Sequence, residues 1–101
     1  MTVTTIMKIL IMKVSIYIPY SNSLKEKRSI VKAVKDKIWS KFRASIAEIE
    51  AQDSPKTAVI GISYVSNDKA LLSSISSKIV NFIDQSYPGL LEDHRHIIED
   101  Y

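Results

Sequence analysis

The chain lacks cysteine, which excludes disulfide bonds and any zinc site built from thiolates. Glycine and proline are scarce, with two and three residues among 101, so the composition argues against long disordered segments. The sequence has no glycine-rich phosphate loop and no G-x-S-x-G motif. We therefore expect a protein without enzymatic activity and without a cofactor, although catalytic groups that meet only in space would leave no such motif.

A long hydrophobic run is also missing. The most apolar stretch covers residues 6–18 and contains Lys8 and Lys13, whereas a membrane-spanning helix needs roughly 20 apolar residues. A secretory signal would place its basic residues before the apolar core and small residues after it, but here Pro19 follows. We expect neither a membrane span nor a secretory signal, and the absence of cysteine fits a reducing cytoplasm.

What the chain does have is one strongly basic stretch, Ser23 to Arg43. It holds eight of the fourteen basic residues and two of the eleven acidic ones, so its net charge is +6 while the remaining residues carry −3. Such a lopsided distribution indicates an anionic partner more strongly than the mild total of +3 does.

Hydrophobic periodicity predicts an α+β domain that comprises residues 1–101 and has the element order strand, helix, strand, strand, helix, strand. This is the split β-α-β pattern of the ferredoxin-like fold, a sandwich in which two helices cover one face of a four-stranded antiparallel sheet. The first and third strands should be central, and the second and fourth should lie at the edges. Ser23 and Glu26 predict a capping box at the start of the first helix. The predicted strands cover residues 6–18, 44–51, 57–65 and 90–101, and the predicted helices cover residues 23–42 and 67–86.

The first helix predicts two groups of functional residues. A row of cations with an interleaved tryptophan follows one flank, as a phosphate backbone and a stacking base require. The alternative is a solvated face whose lysine stems cover the core edge, with the tryptophan packed beneath them. The candidate nucleic-acid-binding residues are Lys25, Arg28, Lys32, Lys35, Trp39 and Arg43.

Lys27 and Arg28 form a narrower candidate, an anion-binding site in the first turn of that helix. Lys27 falls within the apolar arc, where an aliphatic residue would be expected, and a helix N-terminus already favours anions. The alternative, which we favour, is an internal ion pair between Lys27 and an acid such as Glu48 or Asp53.

Two weaker candidates concern metals. Glu48 and Glu50 should share one face of the second strand, and His94 and His96 should share one face of the last strand. Carboxylates on a pleated face point in parallel rather than converging, and the histidines lie in a charged, exposed strand. We therefore expect no metal site.

In a ferredoxin-like fold the sheet face opposite the helices has no cover within the chain. The first strand should present Met7, Ile9, Ile11 and Tyr17 there, and the third strand either Ile60, Ile62 and Tyr64 or Val59 and Val65. Such an apolar patch predicts a homodimer. The alternatives are a different protein partner, or a monomer whose patch is kept wet by Lys8 and Lys13.

Three motifs resemble one known family. SLKEKR at residues 23–28, AEIEAQD at 47–53 and VSND at 65–68 are similar to the YlxP-like family, the DUF503 domain. The resemblance implies a ferredoxin-like fold and a bacterial-type cytoplasmic protein without established activity. The resemblance also implies a gene that lies beside genes for translation initiation and ribosome maturation, which points to RNA. It implies no catalytic residues. This chain departs from the pattern after Asp53, where Ser54, Pro55 and Lys56 replace an aromatic and a basic residue.

Two functions follow from these patterns: association with RNA or a ribosomal particle, and a protein-interaction or structural module that acts as a homodimer. They differ in their response to salt. Binding to phosphates weakens steeply as salt rises, whereas an apolar interface holds or tightens.

Overall fold

A computed structural model describes residues 6–101, and it has the predicted order of elements. The central β1 and its neighbour β3 have ten residues each, whereas β2 has six. The elements are β1 (Lys8–Tyr17), α1 (Leu24–Phe42), β2 (Ser45–Glu50), β3 (Thr57–Ser66), α2 (Lys69–Ser86) and β4 (Leu91–Asp100).

The four strands form one antiparallel sheet in the order β2-β3-β1-β4. α1 packs against β2 and β3, and α2 packs against β1, β3 and β4 on the same side of the sheet. The predicted ferredoxin-like fold, with central first and third strands, is confirmed. Within residues 6–101, neither helix is long and apolar enough to cross a membrane.

The core lies between the helices and one sheet face. Even-numbered positions of β1 and β3 face the helices, because successive side chains of a strand point to opposite sides. This confirms the side of β1 that the alternation predicted. The buried residues of this layer include Leu10, Val14 and Ile16 of β1, Ala58, Ile60 and Ile62 of β3, Val31, Val34 and Ile38 of α1, and Leu72, Ile79 and Ile83 of α2.

Capping fixes the start of α1. The Ser23 hydroxyl accepts a hydrogen bond from the Glu26 amide at 3.1 Å, and the Glu26 carboxylate accepts one from the Asn22 amide at 2.8 Å. The predicted capping box is therefore present in a variant form. The carboxylate reaches one residue further back than in the usual motif, and it thereby also fixes the chain that enters the helix.

β2 departs from the predicted alternation. Glu48 pairs with Ile60 and Glu50 pairs with Val59, so one extra residue, Ile49, is inserted into the strand as a bulge. Glu48 consequently faces the helices, whereas Glu50 faces the open side. The prediction that these two glutamates share one face is wrong, since a one-residue insertion moves every later side chain to the other face.

Gly61 of β3 makes room for the bulge. A Cβ atom at this position would lie 3.1 Å from the Ile49 Cγ2 atom, a closer approach than side chains normally make. Ile49 therefore lies directly over the glycine on the open side of the sheet.

Candidate nucleic-acid interface

The basic residues of α1 separate into two flanks. On the flank towards α2, the Lys37 ammonium lies 5.1 Å from the centre of the Tyr87 ring, and the Lys41 ammonium lies 4.9 Å from that of Phe82. The predicted row occupies the other flank and faces away from α2, on the side of the β2 edge. The sequence-predicted residues therefore do lie together on one surface, which we call the basic row: Lys25, Arg28, Lys32, Lys35, Trp39 and Arg43.

Within the basic row the cations differ in their surroundings. Lys32 is paired with Asp36, one helical turn away, at 2.7 Å. In the part of the chain that the structure describes, no acidic side chain forms a salt bridge with Lys25, Arg28 or Lys35. The charge of these three residues is therefore available to an anion from outside.

Trp39 lies on the surface of this row, with 53% of it exposed. The Arg43 guanidinium carbon is 4.2 Å from the centre of its ring, which is a stacking distance. The interpretation that the tryptophan packs beneath the lysine stems does not fit this exposure.

Lys27 points in the opposite direction, into the protein, and is fully buried. Its ammonium group donates to the carbonyl oxygens of Ala51 at 2.7 Å, Gln52 at 3.2 Å and Thr57 at 3.1 Å. These three bonds use all three protons of the group. The Glu48 Oε2 atom lies 3.0 Å away and neutralises the charge without receiving a hydrogen bond.

This geometry corrects the prediction of an anion-binding site at Lys27 and Arg28. Lys27 has no free proton and no exposed surface, so an external anion has nothing to contact there. The internal pair with Glu48, the alternative that we favoured, is the arrangement that the structure has. Arg28 is exposed, and it belongs to the basic row alone.

Two of the three motifs that carry the family resemblance meet at this lysine. Lys27 belongs to SLKEKR, and its partners Glu48, Ala51 and Gln52 belong to AEIEAQD. The third motif, VSND, ends in Asp68, whose carboxylate caps α2 by accepting from the amides of Ala70 and Leu71. The motifs thus have structural roles at the two helix starts.

The loop after Asp53 is fixed by a second lysine. The Lys56 ammonium donates to the carbonyl oxygens of Pro19 at 2.6 Å and Ser21 at 2.8 Å. This ties the hairpin between β2 and β3 to the segment that leads from β1 into α1. Lys56, one of the three residues that depart from the family pattern, thus has a structural role in this chain.

The candidate metal ligands do not converge. Glu48 lies on the helix side with Lys27, and Glu50 lies on the open side with Lys13. His94 and His96 pair with Val14 and Met12 and so share one face, but both are exposed. Within residues 6–101, no group of three histidine, aspartate or glutamate side chains is placed to hold a metal ion.

The open face of the sheet is the second candidate surface. Ile11 of β1 is 45% exposed, and its neighbour Ile97 of β4 is 54% exposed. Together with Ile49 they line a shallow groove of about 530 Å³ that runs over Gly61. Of the two alternatives for β3, the structure places Val59 and Val65 on this side. Sequence reasoning did not assign Ile49 to this face, because the alternation of β2 does not show which of its sides faces the helices. It missed Ile97 because the last strand contains two consecutive isoleucines.

One ion pair lies on this face. The Lys13 ammonium donates to the Glu50 carboxylate at 2.8 Å. This hydrogen bond and the Lys13 charge, with a smaller contribution from Arg95, lower the pKa of the Glu50 carboxyl below its ordinary value. The Lys13 charge is therefore matched within the chain, whereas its neighbour Arg95 forms no salt bridge within residues 6–101.

Comparison with known proteins supports a family assignment. The model of the family described as "Protein of unknown function (DUF503)" matches residues 9–95. The chain is 35% identical over 70 residues to the uncharacterized protein YlxP of Bacillus subtilis, and this match covers 69% of the chain and 75% of YlxP.

Solved structures share the fold at low sequence identity. The crystal structure of protein SO0527 from Shewanella oneidensis matches with a TM-score of 0.55 and 12% identity, over 99% of this chain and 95% of that one. The de novo designed protein Foldit4 matches with a TM-score of 0.52 and 7% identity, over 92% and 96% of the two chains. These likenesses show the fold alone.

Lys27→Met should destabilise the protein by about 3–5 kcal/mol, because it leaves a buried carboxylate without its counter-charge. Urea unfolding followed by circular dichroism measures this difference. Lys27→Met with Glu48→Leu should recover part of the loss but not all of it, since three carbonyl oxygens stay without a donor. Lys25→Met, an exposed change of the same kind, should have little effect; equal losses at both lysines would contradict the internal role of Lys27.

Glu50 should titrate below the ordinary range of an exposed glutamate. Since its pKa is lowered in the folded state, the pairing stabilises the fold above the unfolded-state pKa, and this contribution is lost as the pH falls through the folded-state pKa. A carboxyl-carbon NMR titration measures the pKa directly. Lys13→Met should raise it, whereas Lys8→Met, which removes a pair with Asp100 elsewhere on the sheet, should not.

Proposed function

This chain belongs to the DUF503 family, whose description assigns no activity, and we propose that it is a cytoplasmic, non-enzymatic module that associates with RNA or a ribosomal particle through the basic row of α1. The observation that carries the proposal is a set of three cations, Lys25, Arg28 and Lys35, that form no salt bridge within residues 6–101 and share a helix flank with an exposed tryptophan.

The shape of the basic row supports a polyanion as the partner. From Lys25 to Arg43 the row extends about 27 Å along the helix axis, at roughly 1.5 Å per residue. A single phosphate or a small anion would need cations that converge on one point. A line of cations instead matches the repeated charges of a nucleic acid backbone, which is attracted without regard to its sequence.

The exposure of Trp39 argues against the alternative in which the basic row of α1 contacts only water. Lysine side chains are often spread over a helix surface to cover its apolar edge, and such a face needs no exposed aromatic ring. The Trp39 ring is half exposed and is held in place by the Arg43 guanidinium. A ligand can therefore contact its apolar face without first having to order the side chain. Bases stack on such rings, so the pairing of Trp39 with the cations favours nucleic acid over simple ions.

Changing Lys25, Arg28 and Lys35 together to glutamine should weaken binding to RNA of any sequence. Removing one phosphate interaction flattens the slope of log affinity against log salt by about 0.7 for single strands, so the triple variant should flatten it by about 2. Fluorescence anisotropy of a labelled RNA, titrated at several low salt concentrations, measures both effects.

The matched control is Lys37, Lys69 and Lys78 changed to glutamine, which removes the same charge from the flank near α2 and from α2 itself. This control should keep most of the affinity and the slope. Equal losses of affinity in the two variants would mean that only net charge matters. The absence of salt-sensitive binding in the unmodified protein, to RNA and to purified ribosomal particles alike, would disprove the proposed function.

A second candidate function is favoured by the open face: a structural module that acts as a homodimer. β1, β3 and β4 have ten residues and β2 has six. At about 3.3 Å per residue and about 4.8 Å per strand, the face measures at most roughly 33 by 19 Å, with one corner missing beside β2. That planar area of about 600 Å², before the relief of its side chains is counted, approaches the roughly 800 Å² per partner of a stable interface.

The distribution of charge on the open face supports a second copy as its occupant. Lys8, which could have kept the patch wet, faces the helix side and pairs with Asp100. Lys13 is matched by Glu50, so both can be covered as a neutral pair rather than as a lone charge. A second copy brings the same apolar centre and the same neutral pair, as a two-fold dimer requires. The further charge of Arg95, beside Lys13 on this face, has to stay in contact with water in such a dimer.

Ile11→Lys should convert such a dimer into a monomer, because it places a charge at the centre of the covered face. Light scattering at micromolar concentration gives the mass. The fold should persist in circular dichroism, since Ile11 takes no part in the core between sheet and helices. Leu71→Lys, at an exposed apolar residue of α2, is the matched control and should leave the mass unchanged. A mass near one chain for the unmodified protein would exclude the homodimer.

A further inference from the structure

At the C-terminal end of α1, a guanidinium group is stacked on an aromatic ring, and the binding of phosphates alone does not require such a pair. Arg43 follows the last helical residue in the left-handed conformation, with φ 58° and ψ 30°, and its amide donates to the Trp39 carbonyl at 2.8 Å. Its guanidinium lies against the Trp39 ring at 4.2 Å. The helix end therefore presents two stacked planar groups at the surface.

A groove of about 280 Å³ adjoins this pair. The residues that line it are Arg43, Ser45, Ser63, Tyr64 and Val65. Ser45, Ser63 and Val65 lie on the open side of the sheet, whereas Tyr64 packs against the core on the helix side, so the groove follows the sheet edge. Arg43 thus belongs to the stacked pair and to the groove at once. The stacked pair and the groove form one continuous site, which we call the Trp39–Arg43 site.

The sheet edge makes this groove possible. β2 begins at Ser45, opposite Ser63, whereas β3 continues to Ser66. From Tyr64 to Ser66, β3 therefore pairs with no strand on the β2 side among residues 6–101. This leaves a recess beside Arg43 that is lined by side chains and backbone together, rather than a flat helix surface.

We propose that the Trp39–Arg43 site binds an unpaired base of single-stranded RNA, an inference that rests on the proposed function and narrows its ligand. A ring and a guanidinium in one stack present flat faces to a base, and such stacking is favourable for every base because each has a π-face. The serine hydroxyls can donate to or accept from a base edge. The Arg43 charge can meet the phosphate of the same nucleotide.

The basic row leads to this site. Lys25, Arg28 and Lys35 lie on the same flank as Trp39, nearer the helix start, so a strand whose phosphates follow them arrives at the tryptophan. In a duplex the bases are stacked on one another and their faces are hidden, so duplex RNA can use the cations but not the ring. Single-stranded RNA can use both, and the site should therefore distinguish the two.

Trp39 is the single tryptophan of the chain, so its fluorescence reports directly on the site. A short oligouridylate should quench this fluorescence on binding, and an RNA duplex with the same number of phosphates should bind with little quenching. Trp39→Ala should weaken oligouridylate binding about tenfold, measured by anisotropy of the labelled RNA, because stacking contributes about 1–3 kcal/mol per base. The same variant should leave duplex binding unchanged.

Trp39→Phe should recover part of the affinity for oligouridylate, since a smaller ring still stacks. Circular dichroism of each variant controls for folding, which should hold because Trp39 lies outside the core. If the unmodified protein binds both RNAs without quenching, or if Trp39→Ala lowers both affinities equally, the Trp39–Arg43 site is disproved while the proposed function stands. If neither RNA binds, the Trp39–Arg43 site is disproved, and the proposed function is disproved with it only when purified ribosomal particles also fail to bind.

Discussion

The ammonium group of Lys27 is the constraint on which the arrangement of this protein depends. A lysine charge buried in a small domain is unfavourable unless every proton finds an acceptor and the charge finds a counter-charge. Here three carbonyls and one carboxylate supply them, and all come from residues of β2, its hairpin loop and the start of β3. These contacts hold the first turn of α1 against the β2–β3 hairpin, and they thereby fix the direction in which the helix crosses the sheet.

The same requirement accounts for the asymmetry of β2. Glu48 has to face the helices to meet Lys27, and regular alternation would then bring Glu50 to the same side. The bulge at Ile49 separates them, because one extra residue moves Glu50 to the open face, where it meets Lys13. Ile49, which alternation from Glu48 already places on the open face, lies over Gly61 in the apolar groove. The buried ion pair and the open apolar face are thus linked through one inserted residue.

The sequence predicted the structure correctly where apolar residues recur with one regular spacing over a long segment. The alternation of β1 and the helical spacing of α1 predicted their burial, and the capping residues predicted where α1 begins. It failed at β2, because alternation over six residues does not reveal an insertion. It identified Lys27 as an anomaly in an apolar arc, but the acceptors lie 24 to 30 residues away in the chain. Only the folded hairpin brings those carbonyls together, and so the choice between an anion site and an internal pair depends on tertiary structure that no local pattern encodes.

The count of charges between Ser23 and Arg43 therefore overstates what a partner can meet. Lys27 is buried and paired with Glu48, and Lys32 is paired with Asp36. Lys37 and Lys41 lie over the aromatic rings of Tyr87 and Phe82. What remains for a partner is concentrated on the flank away from α2. The open sheet face lies on the other side of the sheet, so covering it with a second copy would leave both basic rows accessible, in a sandwich of four layers with its helices outermost. The Trp39–Arg43 site differs from the rest of the basic row, because Ser45 and Ser63 line both its groove and the groove of the open face. A second copy on the open face would therefore compete with a base at this site, while the cations nearer the start of α1 stay accessible.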